Sequence, residues 1–318
     1  MVLQVFPDSP AAEAGLERGA RIVEIDGESV GLLMATDRIG SAFGPSEEGV
    51  SSDIRFITRD GLEHNATMTK RAVTIPTVSL SRVYETEGRR VGYVFFRNFV
   101  RPSIEALDEA FAALAEAQVS DLVLDLRYNG GGLVQVAVHL ASLIGGARTA
   151  GQPFATYHHN DRNRAFDETV RYEDPDRPLP SLNRLIAITS RASASASELV
   201  INSLRPFIPV VLVGDTTYGK PVGQYLLEFC DKVLAPVSFS LRNADDEGDY
   251  FDGLAPTCAA ADDVTRELGD PDEASLAEAL YYAGHDTCRT TPVSGASRAK
   301  AGAGTPRATG WQSLVNAY

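Results

Sequence analysis

Leu122-Val123-Leu124-Asp125-Leu126-Arg127-Tyr128-Asn129-Gly130-Gly131-Gly132-Leu133 is an apolar run of strand length that breaks at three consecutive glycines and then becomes apolar again. Residues 122–126 read as a buried strand, and the apolar stretch 133–144 as a helix. The same grammar recurs on both sides. Residues 91–96 form a strand, and 104–117 a helix with Ile104, Leu107, Phe111 and Leu114 on one face. A strand at 185–189 leads through a Ser/Ala run into a helix ending near 204, and 210–213 is a strand again. Alternation of this kind predicts βαβ units around an at least partly parallel sheet. Sites in such sheets gather at the carboxyl ends of strands, where 129–132 and 193–197 both fall.

Upstream, residues 1–75 read as a small β-rich module. Ser9-Pro10-Ala11-Ala12-Glu13-Ala14-Gly15-Leu16 combines an N-cap serine, a first-turn proline and a terminating glycine. Arg21-Ile22-Val23-Glu24-Ile25 alternates polar and apolar residues and stops at the turn pair Asp26-Gly27. A hairpin follows, 53–58 and 63–69 around Arg59-Asp60-Gly61, and the pattern changes at 71–76. Met1-Val2-Leu3-Gln4-Val5-Phe6 reads as the inside of a strand. The second block spans 76–288 and contains a polar excursion, 145–180, read as a short hairpin. Residues 289–318 carry four basic and no acidic residues among Ser, Ala, Gly and Thr, which predicts a disordered basic tail.

The chain has 318 residues with 29 Lys+Arg against 43 Asp+Glu, a net charge of −14, and a hydrophobic fraction of 44% that suits a buried core. The acidic excess argues against nucleic acid as a partner, because phosphates require clustered Lys and Arg. No apolar run reaches the length of a membrane span. The N-terminus has neither a basic region nor a long apolar one, so the chain is either cytosolic or lacks an upstream segment. Three cysteines, Cys230, Cys258 and Cys288, allow at most one internal disulfide, and without a CxxC no structural zinc site is expected.

Histidine is the commonest general base, yet none of the five histidines falls near a nucleophile motif in sequence, so a Ser-His-Asp triad has little support. His139 reads as a satisfied residue of the apolar helix, and His158-His159 as too tight a pair for a metal site. In Ala192-Ser193-Ala194-Ser195-Ala196-Ser197-Glu198, Ser195 with Glu198 three residues on is a capping box. The same placement puts a hydroxyl at a strand-to-helix turn, where the Ala196 N–H and the positive helix end favour an oxyanion. Both readings stand together. Without histidine, the candidate base is Lys220, in Thr217-Tyr218-Gly219-Lys220-Pro221-Val222-Gly223-Gln224. Extended backbone would point Lys220 and Gln224 to one side. A base lysine must be neutral, its pKa brought down from about 10.4 by burial; the plain alternative is an exposed turn lysine. The glycine turn lacks the Gly-Lys-Ser/Thr of a P-loop and the GxGxxG spacing, which argues against a nucleotide.

These segments carry a resemblance. The 9–16 motif followed by 22–27 resembles a PDZ domain, and 125–133, 192–198 and 217–224 resemble, in that order, the tail-specific (C-terminal processing) serine proteases, over residues 1–260. The resemblance implies a mixed α/β chain: a PDZ module at 1–75 and a crotonase/Clp-protease-like βαβ peptidase domain at 76–288. It makes Ser195 the nucleophile, Lys220 the general base 25 residues on, and Gln224 the residue that orients the lysine. It assigns the oxyanion hole to the amides of Ala196 and of the glycine turn, Gly131 foremost. No metal or organic cofactor is implied, and the partners are polypeptide substrates, taken through extended or C-terminal segments. Two departures stand out: Met1 begins after the Gly-rich carboxylate-binding loop of that module, which therefore reads as N-terminally incomplete, and Ala20 replaces the Asp expected after Gly19. Members are usually exported, which implies a periplasmic or other extracytoplasmic setting and a Cys258–Cys288 disulfide. Two other readings remain beside the peptidase: an inactive peptide-binding scaffold, and a crotonase-like acyl-thioester enzyme that would leave Ser195 and Lys220 idle.

Overall fold

The computed structural model describes residues 1–176, 178–179 and 182–289, so the expected basic tail, apart from Arg289, lies outside the described residues. The chain divides into two compact units, Met1–Pro76 with Asp263–Glu273, and Thr77–Asp262 with the residues from Ala274 onward.

The first unit holds α1 (Pro10–Glu13), β1 (Arg21–Ile25), β2 (Glu28–Ser29), α2 (Val30–Ala35), β3 (Ser51–Ile57) and β4 (Glu63–Thr69). Its strands form one antiparallel sheet in the order β2-β1-β3-β4 over a core of Ala20, Ile25, Leu33, Ile54 and Phe56. Ser9 caps α1 by accepting the Ala12 N–H at 3.1 Å. Residues 1–6 are not the strand expected from sequence. Val2 exchanges a backbone pair with Gly19 and Ala20, but the Leu3 carbonyl accepts from the Arg18 guanidinium instead, at 2.6 Å. Arg18, only 3% exposed, also donates to the Arg266 carbonyl at 2.9 Å. The Val264 carbonyl presses on Gly19 so closely that a Cβ there would lie 2.3 Å from it. These backbone contacts draw 263–273 into the first unit, although in sequence it sits inside the second block; no hydrophobic period announces them.

The second unit follows with β5 (Val78–Thr86), β6 (Arg89–Phe96), α3 (Ser103–Glu116), β7 (Asp121–Asp125), α4 (Val134–Gly145), β8 (Pro153–His158), β9 (Glu168–Arg171), β10 (Arg184–Thr189), α5 (Ala196–Leu204) and β11 (Val210–Gly214). It ends with β12 (Val222–Gln224), β13 (Leu227–Phe229), β14 (Lys232–Leu234), β15 (Val237–Arg242), β16 (Cys258–Ala259) and α6 (Ala274–His285). The main sheet runs β16-β11-β10-β7-β6-β5 and is parallel except for β5. Ile188 of β10 pairs with Asp125 of β7 and with Val213 of β11, so these three strands end together. Their exits, the glycine turn, the serine run and the lysine loop, are thereby set side by side. The polar excursion does contain a hairpin, β8 with β9, but β8 also pairs with β15, giving a second sheet β12-β15-β8-β9.

Cys258 on β16 and Cys288 beyond α6 form a disulfide, while Cys230 is free and exposed. The bond closes a 30-residue separation, which in the chain-entropy account stabilises by about 3 to 4 kcal/mol. Cys288→Ser is expected to lower the urea unfolding free energy by about that amount, and dithiothreitol to do the same to wild type but not to the variant.

Candidate active site

The site begins with a buried ion pair. Arg127 and Asp125, at 1% and 0% exposure, meet at 2.8 Å, and Arg127 reaches on to Asp262 at 3.1 Å. Tyr93 donates its hydroxyl proton to Asp125 at 3.0 Å. Buried charges persist only when paired in this way, and the pairing fixes the backbone where β7 gives way to Asn129–Gly132. The serine run is stitched to that turn. Ser193 Oγ donates to the Leu126 carbonyl and Ser197 Oγ to the Asn129 carbonyl, both at 2.8 Å. These neighbours of Ser195 are thus structural, and the small residues of the run are explained by contact. At Gly131, with φ of +99°, an added Cβ would stand 2.8 Å from both Ala194 O and Ala196 N.

Ser195 sits at the N-cap of α5 with φ +55° and ψ −114°, an unfavourable backbone for a side-chain-bearing residue. Its N–H donates to Glu198 Oε2 at 2.9 Å, so the glutamate arm of the capping box is made. Glu198 does much more than cap. Fully buried, it also accepts the Lys220 N–H on Oε2 at 2.8 Å, and the Gly219 N–H and Thr217 hydroxyl on Oε1 at 2.6 and 2.5 Å. One carboxylate therefore holds the backbones of Ser195 and Lys220 together. The capping-box spacing revealed its first partner only; the other three come from a loop about 20 residues away.

Lys220 is partly buried, and desolvation pushes its amine below the ordinary lysine range against the opposing charge of Glu198. Its Nζ lies 3.5 Å from Gln224 Oε1, and Gln224 Nε2 donates to the Ala235 carbonyl. Lys220 and Gln224 do share a side, as extended backbone predicts. The loop is clamped by 250–254: Thr217 and Leu254 exchange bonds, and the Phe251 carbonyl would lie 2.2 Å from a Cβ on Gly219.

The two oxyanion candidates differ in state. The Ala196 N–H opens α5, where helix amides lack intrahelical acceptors. The Gly131 N–H donates to Asn129 Oδ1 at 2.9 Å, so it reaches an oxyanion only as a shared donor or by leaving Asn129. His139 bridges Asp108 at 2.8 Å and Glu173 at 3.0 Å, a satisfied boundary residue. His159 meets the residue after Gln224, its Nε2 lying 3.1 Å from the Tyr225 hydroxyl. The first unit contains a cavity of about 530 Å³ lined in part by Pro10, Phe43, Ile54 and Met68, a size that accepts side chains of a ligand.

Comparison with known proteins supplies the context. The model of Peptidase family S41 matches residues 90–258, and that of a PDZ domain matches residues 1–40. The chain is 29% identical over 231 residues to a carboxyl-terminal-processing protease of Synechocystis sp., covering 72% of this chain and 51% of that one. It is 30% identical over 237 residues to the protein of the same description from Picosynechococcus sp., covering 72% and 53%. The chain spans about half the length of these curated relatives. Among solved structures, a putative S41 protease from Bacteroides fragilis superposes with a TM-score of 0.74 at 24% identity, over 89% of this chain and 77% of that one. No helix among the described residues is long and apolar enough to cross a membrane.

Proposed function

Because the chain belongs to peptidase family S41, we propose that it is a serine endopeptidase that cleaves unfolded or C-terminally tagged polypeptides through Ser195 and Lys220. Neutral Lys220 Nζ takes the Ser195 Oγ proton as Oγ attacks the peptide carbonyl. The tetrahedral oxyanion is held by the Ala196 N–H and a glycine-turn amide, Gly131 in its shared role. The Lys220 ammonium then protonates the departing amine, leaving an acyl-enzyme that water hydrolyses with Lys220 again as base. Gln224 orients the amine. The PDZ module, read as residues 1–75, recruits extended or C-terminal peptide by strand addition. The disulfide favours an extracytoplasmic setting.

The observation that carries this reading is the Glu198 carboxylate, which accepts the N–H of both Ser195 and Lys220 while burial lowers the lysine pKa. The test is parallel digestion of casein by wild type and Ser195→Ala with intact-mass readout. Cleavage by wild type alone is expected. Tight peptide binding with no turnover by either would move the assignment to a scaffold.

A further inference from the structure

β12, which carries Gln224, rests on an aromatic floor. Gly223 has no room for a side chain, because a Cβ would stand 2.1 Å from the Phe239 ring. Tyr157 stacks on Phe239 at 4.3 Å between centroids, and Tyr225 packs on it at 5.0 Å. His159 completes the group. Its side chain, only 4% exposed, is stacked parallel to the Tyr225 ring and tilted against Phe239.

The polar atoms of His159 are also committed. Its backbone N–H donates to Asp167 Oδ1 at 2.8 Å, and ring Nδ1 lies 3.0 Å from the same oxygen. Nε2 lies 3.1 Å from the Tyr225 hydroxyl. The backbone and ring hydrogen bonds of His159 hold the Asp167 carboxyl below its usual range, so it acts as an acceptor. A neutral ring then carries its proton on Nδ1 and accepts the tyrosine O–H on Nε2. Residues 159 and 167 open and close the loop between β8 and β9, so this chain of bonds ties both ends of that loop to the residue next to Gln224.

We infer that Asp167, His159 and Tyr225 form a positioning chain for the catalytic lysine: Tyr225, held through its hydroxyl, fixes the end of β12 so that Gln224 stays on Lys220 Nζ. The inference rests on the peptidase reading. It gives the buried histidine a role that neither metal binding nor direct base catalysis supplies. All three act through Gln224.

The test is the rate at which a fluorophosphonate probe labels Ser195, since labelling requires the lysine but no polypeptide binding. Tyr225→Phe keeps the ring and its stacking and removes only the hydroxyl. It is expected to slow labelling about tenfold, short of the roughly 10²-fold that a 1 Å misplacement costs. His159→Gln, which keeps hydrogen-bonding atoms but loses the ring, serves as the second variant and should fall between Tyr225→Phe and wild type. The decisive measurement is Tyr225→Phe in a Gln224→Ala background. If Tyr225 acts through Gln224, the double variant labels no more slowly than Gln224→Ala alone. An equal slowing in both backgrounds, or wild-type labelling by Tyr225→Phe, overturns the inference and leaves the peptidase reading in place. Absence of Ser195-dependent labelling in the wild type overturns both.

Discussion

Lys220→Met is expected to reduce kcat/KM on an unfolded protein by about 10³-fold while leaving the circular dichroism spectrum unchanged. Methionine is close to the lysine stem in size and fits the same partly buried position, so the variant removes the amine and little else. General-base catalysis of this kind contributes on the order of 10² to 10⁴, and the remaining rate would come from the oxyanion site and from substrate binding. The pH dependence follows from the same group. In the proposed mechanism only the neutral amine accepts the Ser195 proton, so activity is expected to rise with pH as Lys220 deprotonates. Burial lowers that pKa, which brings the rising limb of kcat/KM down from the alkaline range of a free lysine towards neutrality. A limb that stays where free lysine titrates would remove Lys220 from the role of base, as would near-wild-type turnover by Lys220→Met.

The parallel layer was legible because its strands are short apolar runs and its helices carry a one-sided stripe. The strand at 122–126 and the helix at 104–117 fall within a residue or so of β7 and α3. β5 escaped notice because its residues are mostly half-buried and alternate poorly, as an edge strand allows. α6 escaped because it is rich in alanine and tyrosine with no marked polar face. At the candidate site, the proposed residues Ser195, Lys220 and Gln224 come from short motifs in a fixed order. The contacts of Glu198 with residues 217–220 were not, because a buried carboxylate gathering loop amides leaves no periodic trace. His159 was hidden for a related reason. Its connection to Tyr225 spans 66 residues and exists only once β15 pairs with β8 and β12.

Glu198→Gln is expected to be nearly as damaging to turnover as loss of the lysine, by a different route. The carboxylate has four donors and no donor of its own to offer. An amide replaces one acceptor oxygen with an NH₂ group facing two N–H or O–H donors, leaving buried groups unpaired at about 1 to 3 kcal/mol each. The positive-φ backbone of Ser195 is released on one side, and the lysine loop on the other. A fall in kcat/KM of at least about 10²-fold is expected, together with a loss of about 2 to 4 kcal/mol of unfolding free energy. The pH profile separates this residue from a merely structural one. Glu198 raises the lysine pKa through its charge, so neutralising it disfavours the ammonium further and moves the rising limb to lower pH. A weakened but acid-shifted enzyme is therefore the signature of Glu198→Gln. If rate and stability fall while the limb stays in place, Glu198 is a scaffold for the loop and not part of the electrostatics that set the lysine pKa.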